Sequence, residues 1–483
     1  MACLRAAAMV ATLLLWTLGG CSRPEPLSTL IERTNRDVSS RLGADVDVAA
    51  LLADAAPQRE ALGPFITLRH AQEAALARNL ALSAASEALP IAQWALVQAG
   101  LLANPTIGQS NGVLFPVSPG LGGAASFDVN IVQQLNSIFT RDARIGVAAA
   151  QRLQAGVDLA SQAFELAMQV EEKYLEINHL DGLIDILRRV AETYDRASAA
   201  AQARSKVGVV PVTEVNRARV AALEAGRQVE RARIRRRQSV RDLNFLMGAA
   251  PDTAWTLADE PAGRAIPGLA DLTAAAIARS ARLDLAHARL DERAGEASLD
   301  LAKAGLIPAI TAGVEGAYTP GAGGASATVG PVFSVELPIF DSHRTALHAA
   351  EASLRRLRKA TNALEAKAEA DAVAACRAAE LAASDLDFAV STVIPQQREN
   401  VSLAQKAFQY GQIDLDSLLN TLRDASAAEQ AAADARAALD AAQVALERAL
   451  GVSLPVALQG WPVPAPASPA PDQDPQSPQD NAP

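Results

Sequence analysis

From about Thr140 to Val207 the apolar positions recur every three or four residues, and Ile177, Leu180, Ile184, Leu187, Ala191 and Tyr194 form a heptad-like seam. No proline interrupts the stretch, so the pattern predicts one continuous helix. At 1.5 Å per residue it would run roughly 100 Å, far beyond the ordinary length of a globular helix. Gly208 breaks it, and a second helix is predicted from about Val212 to Met247, stopped by Gly248 with Pro251 beyond. Ahead of this hairpin, "ITLRHAQEAALARNLAL" (66–82) opens a helical pattern that continues to about Leu102, interrupted at Pro90 and ended by the Asn-Pro at 104–105. Between the two helical regions the period falls to two. In "FDVNIVQQL" (127–135), Phe127, Val129 and Ile131 alternate with Asp128 and Asn130, a strand signal with one polar face.

The plan is then written again. "LTAAAIARSARLDLAHARLDERAGEASLDLAKAGL" (272–306) is helical, and its "KAGLIP" ending parallels "QAGLLANP" at 98–105. Two alternating segments follow, "AITAGVEGAYT" and "TVGPVFSVELPIF", around the Gly-rich turn "GAGG" at 321–324. In the later one Val329, Phe333, Val335 and Leu337 share a face with Pro331, while Thr328, Gly330, Ser334 and Glu336 share the other with Val332. A long helix is predicted from about Ser342 to Tyr410, interrupted only at Pro395. After Gly411 a shorter one reaches Leu450 and stops at Gly451. Gly208 and Gly411 are 203 residues apart, and so are Gly248 and Gly451. A shared offset between two distant pairs of helix breakers marks an internal duplication.

The expected organisation is therefore a signal peptide (1–20), an irregular leader (21–65), a first repeat (66–250), a linker (251–266), a second repeat (267–451) and a disordered tail (452–483) rich in Pro, Ala, Ser, Gln and Asp. Composition supports long helices over a deep core: hydrophobic residues make up 50% of the chain but aromatics only 4%, so much of the apolar content is alanine. A formal charge of −10 argues against wholesale nucleic-acid binding. The basic run "ERARIRRRQSVR" (230–241) has no interleaved aromatics and reads as a solvated helix face.

The first 21 residues carry one Arg, an apolar run from Ala6 to Leu18 and then "LGGC". The run is too short to span a membrane. The ending resembles a bacterial lipoprotein signal, which implies acylation of Cys21; Ser22 after it implies outer-membrane destination. Cys3 is then removed, and Cys376 is left on an Ala-rich helix with no disulfide partner.

Each half offers two strands of about ten residues, the length for a tilted bilayer crossing. Four strands cannot close a barrel, and lipid does not tolerate an open edge, so membrane-spanning strands require several chains. A small soluble sheet capping the rods fits the same pattern, as does a compact coiled coil without a lumen. The lipobox, the duplicated strand–strand–long-helix–short-helix plan and the two glycine breaks together resemble the TolC-type outer-membrane channels over about residues 66–451. That resemblance implies a homotrimer in which four strands per protomer join one 12-stranded β-barrel above an α-helical tunnel that extends into the periplasm. It implies partnership with a periplasmic adaptor and an inner-membrane pump of the RND type, in contact with outer-membrane lipid. Both breaks become periplasmic hairpin tips, with Gly208, Val209, Gly411 and Gln412 docking the adaptor and glycine chosen because packed helices leave no room for a side chain. The family often has an acid six places after this glycine, at the constriction. Glu214 matches; Ser417 departs, with Asp414 and Asp416 nearby.

Catalytic, cofactor and metal sites are not expected. His70, His179, His287, His343 and His348 are scattered, and "GAGG" is followed by a strand pattern instead of the helix that phosphate binding needs. The leader segment "LIERTNRDV" (30–38) resembles the heavy-metal branch of these channels and so implies metal cations as one cargo, although methionine numbers only four. The alternatives are a periplasmic adaptor, which should carry one hairpin and no tandem repeat, a poreless structural rod, and a lipid-anchored enzyme.

Overall fold

The computed structural model describes residues 25–43, 47–52, 63–113, 125–208, 210–258, 269–319, 326–459 and 461. Cys21, Val209, the 321–324 turn and the tail after 461 lie outside the described residues.

The leader, expected to be irregular, contains α1 (Leu27–Leu42) and the single turn α2 (Val48–Leu51). Leu30, Thr34, Val38 and Arg41 give α1 a buried stripe at helical spacing, and Gly43 closes it at φ 66°. β1 (Phe65–Ile66) leads into α3 (Leu68–Arg78), whose N-cap Thr67 accepts from the His70 amide at 3.2 Å. The helix breaks first at Asn79 and again at Glu87, the interruption expected at Pro90. Asn79 Oδ1 accepts from the Ala81 and Leu82 amides, at 2.9 and 3.0 Å, and so starts α4 (Leu80–Ser86). Pro90 sits in the first turn of α5 (Ala88–Ala99), where its missing N–H had no helical partner to lose.

Two strands follow, β2 (Thr106–Val113) and β3 (Ala125–Gln134), then the short α6 (Asn136–Phe139). The predicted rod is present as α7 (Arg141–Lys206), 66 residues without a fault, and α8 (Val212–Leu246) returns beside it. β4 (Thr256–Leu257) pairs in parallel with β1. The single helix expected at 272–306 is broken at Arg282 into α9 (Asp271–Ala281) and α10 (Leu283–Ala304). Arg282 (φ −63°, ψ 128°) and Asn79 (φ −67°, ψ 120°) adopt the same extended break 203 positions apart. β5 (Ile310–Thr319) and β6 (Ser326–Val335) precede α11 (Arg344–Phe388), a π turn at Ala389–Val393 and α12 (Ile394–Gln409). α13 (Leu415–Leu450) and α14 (Leu454–Leu458) complete the described chain.

The helices form an open layer around α7. Towards the tips the order is α8–α7–α13–α12; towards the sheet it is α5–α7–α10–α11. α7 carries the heaviest load, with Leu159, Met168 and Ile177 fully enclosed, each worth about 2 kcal/mol of burial. Halfway along, two glycines clamp the repeats. Gly248 (φ 65°) lies against the backbone of Arg78, and Gly451 (φ 76°) against Ala281 and Arg282. One helical stretch, Leu80–Ala99, is long and apolar enough to cross a membrane by length and composition; its inner side, Leu82, Leu89 and Leu96, is buried, and both α4 and α5 pack on α7.

Candidate functional site

The sheet runs β2-β3-β5-β6, antiparallel throughout. Its register sorts side chains by polarity. Ile107 pairs with Ile131, Ile131 with Val314 and Val314 with Pro331, so these share a face with Val129, Tyr318, Val329, Phe333 and Val335. The reverse face carries Thr106, Asp128, Asn130, Glu315, Thr328 and Ser334, with Asn130 directly opposite Glu315. On the apolar face Ile107, Val329 and Phe333 are 75%, 76% and 72% exposed. Exposed apolar residues continue past the sheet at Leu337, Ile339 and Phe340. An apolar sheet face this exposed calls for a cover that the described residues do not supply. The outer edges of β2 and β6 have no partner strand among the described residues, and their unpaired backbone groups need one.

At the far end, both hairpins reverse through a positive-φ glycine. Gly208 (φ 78°) donates to Ser205 O at 3.0 Å, and Gly411 (φ 73°) donates to Phe408 O at 3.1 Å. The Gln412 amide closes the second turn on Ala407 O at 2.8 Å, a left-handed cap that only glycine enters without strain. The expectation that packing excludes a side chain here is corrected. A Cβ at either glycine would meet nothing within 4 Å, so the backbone angle alone demands glycine. The two hairpins join through a small core of Tyr194, Ala201, Ala218, Phe408, Leu415 and Leu418. Arg204 reaches across, donating to Phe408 O at 2.9 Å with its guanidinium 4.1 Å from the Phe408 ring centre.

The candidate acids are placed differently from one another. Asp414 caps α13: its carboxylate accepts from the Ser417 amide at 2.9 Å, and the Ser417 side chain, with that amide, holds it below the usual carboxylate range. Asp416 forms an ion pair with Arg217 of the other hairpin. Glu214, in the first turn of α8, is half-buried and has no ion-pair partner among the described residues. Ser417 is exposed and serves the cap. Arg204 and Arg217 escaped sequence reasoning because nothing in their local pattern separates them from other helix-surface arginines. Along α7 and α10, half-buried His287 stands between Asp158 at 3.3 Å and Asp291 at 3.2 Å. No group of three or more His, Cys, Asp or Glu placed to hold a metal occurs among the described residues.

Beside the π turn a cleft of about 490 Å³ opens between α7, α12 and α13, lined by Ile186, Leu386, Val390 and Ile394, with Arg398 and Glu429 at its side.

Comparison with known proteins agrees with this architecture. The profile of the family described as outer membrane efflux protein matches residues 44–249 and 275–452. Among solved structures, the outer membrane protein VceC from Vibrio cholerae aligns at 16% identity and TM-score 0.65, over 80% of this chain and 96% of that one. A membrane protein from Pseudomonas aeruginosa aligns at 19% identity and TM-score 0.67, over 83% and 100%. CusC aligns at 16% identity and TM-score 0.65, over 82% and 96%. No curated protein sequence matches significantly.

Proposed function

Because the chain belongs to the outer membrane efflux protein family, a family of channels and not of enzymes, we propose that three copies build one exit duct through which a tripartite efflux system expels its cargo across the outer membrane. The observation that carries this reading is the sheet. Three four-stranded sheets, each with two unsatisfied edges, make twelve strands that close on themselves. The exposed apolar side, led by Val329 and Phe333, then meets lipid, and the side bearing Asp128, Asn130 and Glu315 lines water. Strands of eight to ten residues suit a tilted crossing. The open helix layer closes by the same threefold pooling into a tunnel about 100 Å long, the length of α7.

In this reading Cys21 is acylated and anchors the leader at the outer membrane. Gly208, Val209, Gly411 and Gln412 form the tips that meet a periplasmic adaptor, and an RND-type pump selects the cargo. Glu214 is the acid left to charge the constriction, since Asp416 is paired and Asp414 is engaged as a cap. Three half-buried copies of Glu214 around an axis would draw cations inward.

Purified protein is expected to give discrete conductance steps in planar bilayers and a central bore in single-particle images. A filled rod without conductance would end the reading. Glu214→Gln should alter the conductance or its cation preference; identical traces would remove Glu214 from the constriction without touching the channel itself.

A further inference from the structure

The duplication presents one helix seam twice, once sealed and once open. In the first repeat, Ile184 and Leu187 of α7 are buried with Val229 and Ala232 of α8 in a small apolar core. Moved forward by 203 positions, these residues become Asp387, Val390, Ala432 and Ala435. Isoleucine gives way to a carboxylate, leucine to valine and valine to alanine, so the second copy lacks the bulk that seals the first. The cleft of about 490 Å³ beside the π turn opens at this place, with Asp387, Val390 and Ala432 in its wall. That volume lies in the range of small-molecule pockets, and π turns within α-helices recur at functional sites.

The cleft has a direction. Its apolar side is Ile186, Leu386, Val390 and Ile394, of which Val390 is 52% exposed. At one end two guanidiniums share a single carboxylate: Arg189 lies 4.0 Å from Glu429, and Arg398 lies 3.9 Å from it. Both distances exceed hydrogen-bond length, so the donors of the two forks are not spent on Glu429. Arg436, the third guanidinium of the wall, pairs with Asp440 at 3.6 Å. Asp387 and Arg398 stand eleven residues apart, about 16 Å along the helix. Negative charge therefore marks one end, and the surplus positive charge marks the other. A second cleft, of about 370 Å³, continues past Arg189, Arg398 and Glu429.

We propose that the cleft beside the π turn binds an amphipathic organic anion, a rigid aromatic body that carries a carboxylate. The body lies on Val390 and Ile394. The carboxylate seats between Arg189 and Arg398, whose planar forks match it, and Asp387 repels it from the other end. Every wall comes from one chain, so the site does not depend on the trimeric reading.

The first repeat supplies the variant that tests this. Val390→Leu with Ala432→Val restores the residues that close the seam between α7 and α8, and should fill the cleft without disturbing the fold. The full-length protein is irradiated with 4-benzoylbenzoate, a photoreactive aromatic carboxylate, and the modified residues are mapped by mass spectrometry. Saturable labelling at Ile186 and within 386–394 is expected. Arg189→Gln with Arg398→Gln should raise the half-saturating concentration about tenfold, the loss of one charge-assisted contact. The filled variant should lose the label at these positions while keeping its thermal midpoint. The neutral 4-benzoylbenzamide should label them about tenfold more weakly than the acid. Labelling that survives in the filled variant, equal labelling by the amide, or labelling confined to the apolar sheet face would each overturn the proposal. Conductance in planar bilayers reports on the channel separately, so either reading can fail while the other stands.

Discussion

The first long helix, α7, runs 66 residues unbroken, whereas its counterpart, Arg344 to Gln409, covers the same length with a π turn at Ala389–Val393 just ahead of Pro395. A proline inside an α-helix lacks an N–H and collides with the carbonyl four residues earlier, here that of Ser391. Widening one turn to the π pattern removes the collision and lets the helix continue. Position in the layer decides where this is tolerable. α7 lies inside, with helices on both sides and a buried apolar row from Leu159 to Leu187. The second long helix lies at the edge, where Leu381, Phe388, Val390 and Leu403 are exposed and a cleft flanks the π turn. Duplication supplied one plan, and unequal burial let the copies diverge.

The glycines show a parallel contrast between equator and tips, and the largest predicted effect tests it. At Gly451 a Cβ would sit 2.9 Å from Arg282 Cα, and at Gly248 it would sit 2.5 Å from Arg78 O, both with positive φ. Gly451→Val combines left-handed strain with a backbone clash, for a loss of about 2–5 kcal/mol, read as a fall in trimer yield and thermal midpoint. Gly411→Val carries the strain alone, about 1–2 kcal/mol. Trimers should survive it while efflux is lost, as the proposed docking of an adaptor at this tip requires. Equal damage at both sites would break the contrast.

Pro395→Ala comes next. With the collision gone, the π turn should revert towards α geometry, and amide exchange across 389–394 should slow tenfold or more, about 1–3 kcal/mol. Unchanged exchange would mean that something other than Pro395 holds the turn open. Arg204→Ala removes the clamp between the hairpins, its bond to Phe408 O and the ring contact, for about 1–2 kcal/mol. Faster exchange confined to the last turns of α7 and α12 is the expected signature.

The smallest effect separates the two tips by pH. Asp414 caps α13, whereas Pro211 stands at the matching position before α8. The cap holds the folded Asp414 pKa below the ordinary carboxylate value. Its contribution is therefore complete above the unfolded pKa of about 3.9 and is lost as pH falls through the lower folded value. Pepsin cleavage at the second tip should rise as pH falls below the ordinary carboxylate pKa of about 3.9, and Asp414→Asn should abolish that dependence, leaving the first tip as an internal reference.

The features legible in the sequence were those written at short range. Helical and two-residue periods, the glycines at 208, 248, 411 and 451 and the 203-residue offset located both repeats, because backbone angles and side-chain alternation depend on near neighbours. Misreadings occurred where distant packing overrode a local signal. Pro90 marked the interruption at Glu87, but the break at Asn79 went unread because its side chain is anchored to Leu246 O at 3.0 Å, far along the chain. The leader looked irregular because α1 is stabilised by distant packing, mainly on α7 and also on α5 and α14, through contacts such as Arg152 donating to Pro26 O at 2.9 Å.

The chain by itself determined a duplicated helical hairpin with amphipathic strands and left-handed turns, since each follows from local sterics and periodicity. Only the tertiary structure decided that Asp416 is matched by Arg217, that Arg204 ties the hairpins together and that the tip glycines face open space. It alone opened the cleft beside the π turn. Those properties depend on which surfaces meet across hundreds of residues, and pairwise electrostatics and packing act over a few ångströms of space whatever the separation along the chain.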